Sequence, residues 1–162
     1  MHPNASLIST LYSSLRDDKP DAAAACYAAD AHFEDIAFRL DGREWILQMW
    51  RLVCSGDVGV SFDSVIADDQ EGGANWVARY TFTDTGRRVT NATTSHFTFR
   101  DGLIVNHVDR CDAMAWARQA YPFPKNLAAG LIGPLRRHVA HKKLKQFIED
   151  SRSHDTARLL ST

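Results

Sequence analysis

Cysteine is scarce in this chain, with only Cys26, Cys54 and Cys111 among 162 residues. Their odd number and wide spacing argue against a disulfide framework and for reduced thiols. No Cys-x-x-Cys pair and no two histidines at a four-residue interval occur, which speaks against a structural metal. Long apolar runs are missing too, and none approaches the ~18 residues of a membrane span. The stretch Met1 to Tyr12 lacks the basic start and apolar middle of a secretory signal, so the Asn-x-Ser/Thr triplets at Asn4 and Asn91 are sequons by letter only. Nor is there an excess of one charge: the formal net charge is −1, which gives no overall pull towards nucleic acid or an anionic membrane. The expected location is the cytoplasm.

What is present is ordinary globular usage, with 44% apolar, 10% aromatic and 24% charged residues. That length and composition support one hydrophobic core. Leu7, Ile8, Leu11 and Leu15 recur at helical spacing and predict an amphipathic first helix ending near Asp17. Pro20 suits the first turn of a second helix, which the alanine-rich stretch Ala22 to Ala29 would continue. Ala31 to Leu40 reads as extended. Asp41 with Glu44 resembles a capping box ahead of a third helix, whose inner face is Trp45, Ile46, Met49, Trp50 and Val53. Beyond Cys111 a short helix around Trp116 ends at Pro122, and Leu131 to Ile148 predicts a basic helix. Its residues Arg136 to Lys145 read as a mostly solvated face, with Ser151 to Thr162 as a frayed tail.

Between these helices lies a run of period-2 alternation. Trp76, Ala78, Tyr80 and Phe82 fall on one face of a strand, after a polar turn at Asp68 to Gly73. Asp84, Thr85 and Gly86 form a turn, and Val89, Asn91, Thr93, Ser95, Phe97 and Phe99 alternate along the next strand. Asp101 and Gly102 are a strong two-residue hairpin signal, leading into a strand that places Leu103, Val105, His107, Asp109 and Cys111 on one side. The order is thus two helices, a strand, a helix and an antiparallel meander of four strands. His96 falls on the outer face, and His107 and Asp109 on a face that looks into a pocket.

Several motifs carry a family resemblance. Tyr27, Ala28, Ala29, Asp30 and Ala31, then Glu34 and Asp35, then Gly42, Arg43, Glu44 and Ile46, resemble the pattern of ketosteroid isomerase and polyketide cyclase (SnoaL-like) relatives in the nuclear transport factor 2-like superfamily. The runs Tyr80 to Arg87, Phe97 to Ile104, Asp109 to Asp112, Trp116 to Ala120 and Gly133 to Arg137 are similar to a bacterial branch of it. The resemblance implies an α+β fold, a cone-shaped curved antiparallel sheet with N-terminal helices and a C-terminal helical extension. Residues 1–121 would form the SnoaL-like domain, and 122–162 a basic extension packed on it. It also implies a homodimer.

The same resemblance places the isomerase's general base at Asp35, whereas its two oxyanion donors align with Leu11, one residue from Tyr12, and with Ser95. Steroid isomerisation itself is therefore not expected. The expected catalytic residues are Asp35, His107 and Asp109, and the expected substrate-binding residues are Tyr80, Trp76, Trp50, Asn91 and Ser95. For each a plainer role competes: Asp35 as the cap of a turn, His107 as a satisfied core histidine, Tyr80, Trp50 and Trp76 as core. The function expected is cofactor-independent acid–base chemistry, isomerisation, cyclisation or dehydration, on a small hydrophobic carbonyl compound. The alternative is a non-catalytic binding or interaction module of the same fold.

Overall fold

The computed structural model describes residues 1–159. Helix α1 (Pro3–Arg16) starts where the His2 ring accepts the Asn4 N–H at 3.2 Å and Pro3 fills a position that needs no donor. Its Ile8, Leu11 and Leu15 are buried, and the helix stops before Asp18, whose φ is 57°. Helix α2 (Pro20–Ala24) is a single short turn, and strand β1 (Tyr27–Glu34) follows at once. The alanine-rich stretch to Ala29 does not stay helical. Tyr27 is fully buried and pairs with Ile104, and that tertiary pairing outweighs the helix propensity of alanine.

Strand β2 (Arg39–Asp41) turns back antiparallel to β1, so the extended region is a tight hairpin around Asp35 to Phe38. Asp41 pairs with His32 at 2.7 Å instead of capping helix α3 (Arg43–Cys54); the N-cap is Gly42, with no side-chain bond. Strands β3 (Gly59–Ala67), β4 (Glu71–Phe82), β5 (Arg87–Arg100) and β6 (Leu103–Arg110) form the expected meander. Strand β4 begins ahead of the alternating run, because Asp68 accepts the N–H groups of Gln70 and Glu71 and closes the turn there. The six-stranded sheet has the order β2-β1-β6-β5-β4-β3, and all neighbours are antiparallel except β1 and β6.

The β5–β6 hairpin turns on Asp101 and Gly102, with φ of 53° and 72°, the pair of positive values a two-residue turn needs to match strand twist. Bulges bend the sheet between Asp63 and Ile66 in β3 and beside Phe99 opposite β6. The second bulge changes the inner face of β6. Thr98 pairs with Asn106 but Phe99 with Ile104, so Ile104 is fully buried while Leu103 and Val105 are only half-buried. His107 and Asp109, beyond the bulge, keep their expected inward direction, and His96 is exposed.

The concave face packs on α1 and α3, with Tyr12, Phe33, Met49, Phe97 and Ile104 at the centre of the core. Helix α4 (Ala113–Ala120) starts at Asp112, whose carboxylate accepts the N–H groups of Met114 and Ala115, and its Trp116, Ala117 and Ala120 cover Val89. Helices α5 (Lys125–Leu131) and α6 (Gly133–Leu159) follow, and α6 inserts Leu144 into the main core. Residues 151–159 are helical, not frayed; the last three residues of the predicted tail lie outside the described residues. Among the described residues no helix is long and apolar enough to cross a membrane. The result is an α+β fold: a curved open sheet with helices packed on its inner face.

Candidate active site

Alternation along β5 and β6 brings Ser95, His107 and Asp109 to adjacent positions under α1. His107 is fully buried, and its Nε2 lies 2.8 Å from Asp109 Oδ1. Ser95 Oγ donates to the same carboxylate oxygen, and the Tyr12 hydroxyl lies 2.5 Å from Ser95 Oγ. The Tyr27 hydroxyl is 2.7 Å from His107 Nδ1. With Asp109 as a carboxylate, one set of protons satisfies every link. Tyr12 donates to Ser95, Ser95 and His107 Nε2–H donate to Asp109, and Tyr27 donates to Nδ1 of a neutral imidazole. Burial first, and then the charge of Asp109, raise both tyrosine pKa values well above the ordinary range, so both phenols stay protonated donors. The Trp50 indole lies near enough to Tyr27 to favour its charged form, yet its N–H has no hydrogen bond of proper geometry.

Asp35 occupies the β1–β2 turn. One carboxylate oxygen accepts the N–H of Ala37 at 2.7 Å and of Phe38 at 2.5 Å, an arrangement in which aspartate closes its own turn. Capping and pocket exposure therefore coexist. Among the described residues the other oxygen takes no protein hydrogen bond, and Asp35 lines the cavity. Part of its surface is accessible, and the residue lines the cavity. Desolvation raises its pKa from 3.8 to about 6; the two N–H groups pull it down, and the Asp109 charge adds to the rise.

The cavity has a volume of about 550 Å³, within the range usual for small-molecule sites. Its wall holds Asp35, Trp50, Trp76, Tyr80, Asn91 and Asp109, all six of them expected from the sequence. His107 and Ser95 do not reach it. Both sit behind Asp109 and hold its carboxylate, so His107 has no direct route to a ligand. Tyr80 accepts a hydrogen bond from Trp116 Nε1 at 2.9 Å, which leaves its own O–H free to donate into the cavity. Among the described residues no group of three or more His, Cys, Asp or Glu side chains could hold a metal ion.

Some residues escaped the sequence reading. The helix expected over Ala22 to Ala29 takes in Tyr27, which instead starts β1; its place at the head of a family-like motif is the usable signal. Arg136, read as solvated, is half-buried and lines the cavity. Nothing in a basic helical run marks which of its cations turns inward.

A model of the SnoaL-like domain matches residues 8–107 of the chain. A search of curated proteins gave no match. Among solved structures, a candidate polyketide cyclase from Xanthomonas campestris pv. campestris is 20% identical with a TM-score of 0.63, covering 74% of this chain and 97% of its own. A nuclear transport factor 2-like protein of unknown function from Burkholderia pseudomallei is 17% identical with a TM-score of 0.65, covering 75% and 100%. TerC, co-crystallised with polyporic acid, is 16% identical with a TM-score of 0.61, covering 73% and 98%. At such identities these likenesses speak for the fold alone. The family match spans more than half of the chain, and with the curved six-stranded sheet it establishes that this protein belongs to the SnoaL-like family of the nuclear transport factor 2-like fold.

Proposed function

We propose that this protein is a cofactor-independent enzyme in which Asp35 takes a proton from carbon beside a carbonyl group of a small hydrophobic substrate. The observation that carries this reading is the state of the Asp35 carboxylate. One oxygen is fixed by two backbone N–H groups, the other is free towards an apolar cavity, and burial raises the pKa to about 6. A base of that strength is ionised at neutral pH yet still returns its proton readily, which suits transfer in both directions. The Tyr80 hydroxyl, oriented by Trp116, donates to the carbonyl oxygen where negative charge develops. Asp109, held by Ser95 and His107, is the second carboxylate on the wall and accepts or returns the proton at the far position. Isomerisation needs only these two transfers; cyclisation adds attack of the resulting carbanion on a second carbon to form the ring bond, and dehydration adds cleavage of a C–O bond whose oxygen takes the delivered proton and leaves as water. That TerC, a protein of the same fold, was co-crystallised with polyporic acid supports a small organic ligand for this fold.

The test is native mass spectrometry of protein purified from its own host, followed by incubation of the co-purifying molecule with wild type and Asp35→Asn. Conversion by wild type, reduced at least about a hundredfold in Asp35→Asn, is the expected result. Recovery of the molecule unchanged, at equal affinity for both proteins, would instead make this a binding module.

A further inference from the structure

The geometry points to a preference for acids: Arg136 makes this pocket a receptor for hydrophobic carboxylates, pairing with the carboxylate while the apolar body lies against Trp50 and Trp76. This deepens the pocket reading above but does not depend on turnover.

Arg136 lies in the first turn of α6 and lines the cavity. Its Nε donates to the Ile36 carbonyl at 2.6 Å, and its Nη1 to the Ala129 carbonyl at 2.6 Å and more weakly to that of Gly130 at 3.4 Å. These bonds come from the β1–β2 turn and from α5, so the plane of the guanidinium is fixed from two sides. All of them go to neutral carbonyls, which orient the group but do not cancel its charge. Neighbouring cations are treated differently: Arg137 pairs with Glu34 at 2.9 Å, and Lys143 pairs with Asp84. Among the described residues Arg136 has no carboxylate partner, and its Nη2 donates to no protein group. Asp35 attracts it without forming an ion pair.

A half-buried guanidinium, rigidly placed and with its Nη2 unused, is a binding site for an anion. A carboxylate oxygen accepts from Nη2, and the rest of the ligand meets the aromatic wall. The bond to the Ile36 carbonyl puts the guanidinium against the residue that follows Asp35, so the acid group is anchored beside the proposed base. The cation also offsets the repulsion that the Asp35 and Asp109 charges would exert on a bound anion.

Two probes of nearly equal shape decide the matter, naphthalene-2-carboxylate and 2-acetylnaphthalene, titrated at pH 7.5 by calorimetry and by quenching of tryptophan fluorescence. Wild type should bind the carboxylate at least about tenfold more tightly than the ketone. In Arg136→Gln the carboxylate should lose about 10- to 100-fold while the ketone is unchanged, and Arg136→Lys should retain part of the preference. Unchanged ketone binding and an unchanged melting temperature exclude a collapsed pocket; if Arg136→Gln fails that control, Arg136→Met, which also removes the charge, serves in its place. Equal affinity of wild type for both probes, or a preference that survives the substitution, overturns the proposal. Asp35→Asn should keep the preference for acid, so loss of turnover and loss of acid recognition are separable.

Discussion

At the scale of single residues, Asp35 does two things that oppose one another. It closes a turn as a hydrogen-bond acceptor, and it keeps a charge in a place where charge is unfavourable. Its pKa is raised from 3.8 to about 6, so between those values the folded protein holds a proton that the unfolded chain has already released. Stability from this group is therefore greatest below the unfolded value, falls as pH rises through the window, and is lost above about pH 6. Asn keeps the acceptor and removes the charge. Asp35→Asn should accordingly be more stable than wild type by about 1–3 kcal/mol at pH 8, with the gap closing towards pH 4. Urea denaturation of both proteins across that range measures it, and a constant gap would contradict the assignment. Asp35 was legible because a family-like motif fixes its position. The carrier of its neighbouring positive charge, Arg136, was not, because helical periodicity separates faces only when apolar and polar residues segregate, and in α6 they mingle.

At the scale of elements, α1 approaches the sheet closely at Gly72. A β-carbon on Gly72 would lie 2.9 Å from Ile8 Cδ1, 3.0 Å from the Ala67 side chain and 3.0 Å from the Ile66 carbonyl oxygen. The methyl end of Ile8 can yield, but the backbone oxygen cannot move without disturbing the β3–β4 pairing. Gly72→Ala should cost about 1–3 kcal/mol, read as a lower melting temperature in calorimetry. Elements whose register follows from alternation and turn chemistry, β4, β5 and the Asp101–Gly102 hairpin, could be read directly. The bulge beside Val105 could not, since one extra residue leaves no compositional mark, and it exchanged Ile104 for Val105 on the inner face. The end of α2 was hidden for another reason: only the pairing of Tyr27 with β6 explains why an alanine-rich stretch becomes strand.

At the scale of the whole molecule, α5 and α6 are part of both the core and the cavity. Leu144 is fully buried, and Ala128, Ala129, Leu135, Arg136, Val139 and Lys143 contribute to the wall. A chain ending at Tyr121 should lose about 2 kcal/mol or more from Leu144 alone and leave the apolar wall open to water. A lower melting temperature together with stronger fluorescence of an apolar dye would register both effects; a truncated chain with the full-length melting temperature would show that the helices are dispensable.

Strand β1 is placed beside β6, and the two run parallel. The meander from β3 to β6 can zip up from contacts close in the chain, but β1 must wait for the last strand before it has an inner neighbour, a pairing of high contact order that slows folding. During synthesis the segment carrying Asp35 is among the first made, yet it docks only after the segment carrying Asp109 has emerged. The two carboxylates thus cannot come together until both β1 and β6 have been made. A small molecule that fits between them recognises only completed chains, and its binding would draw partly folded protein towards the finished state by mass action.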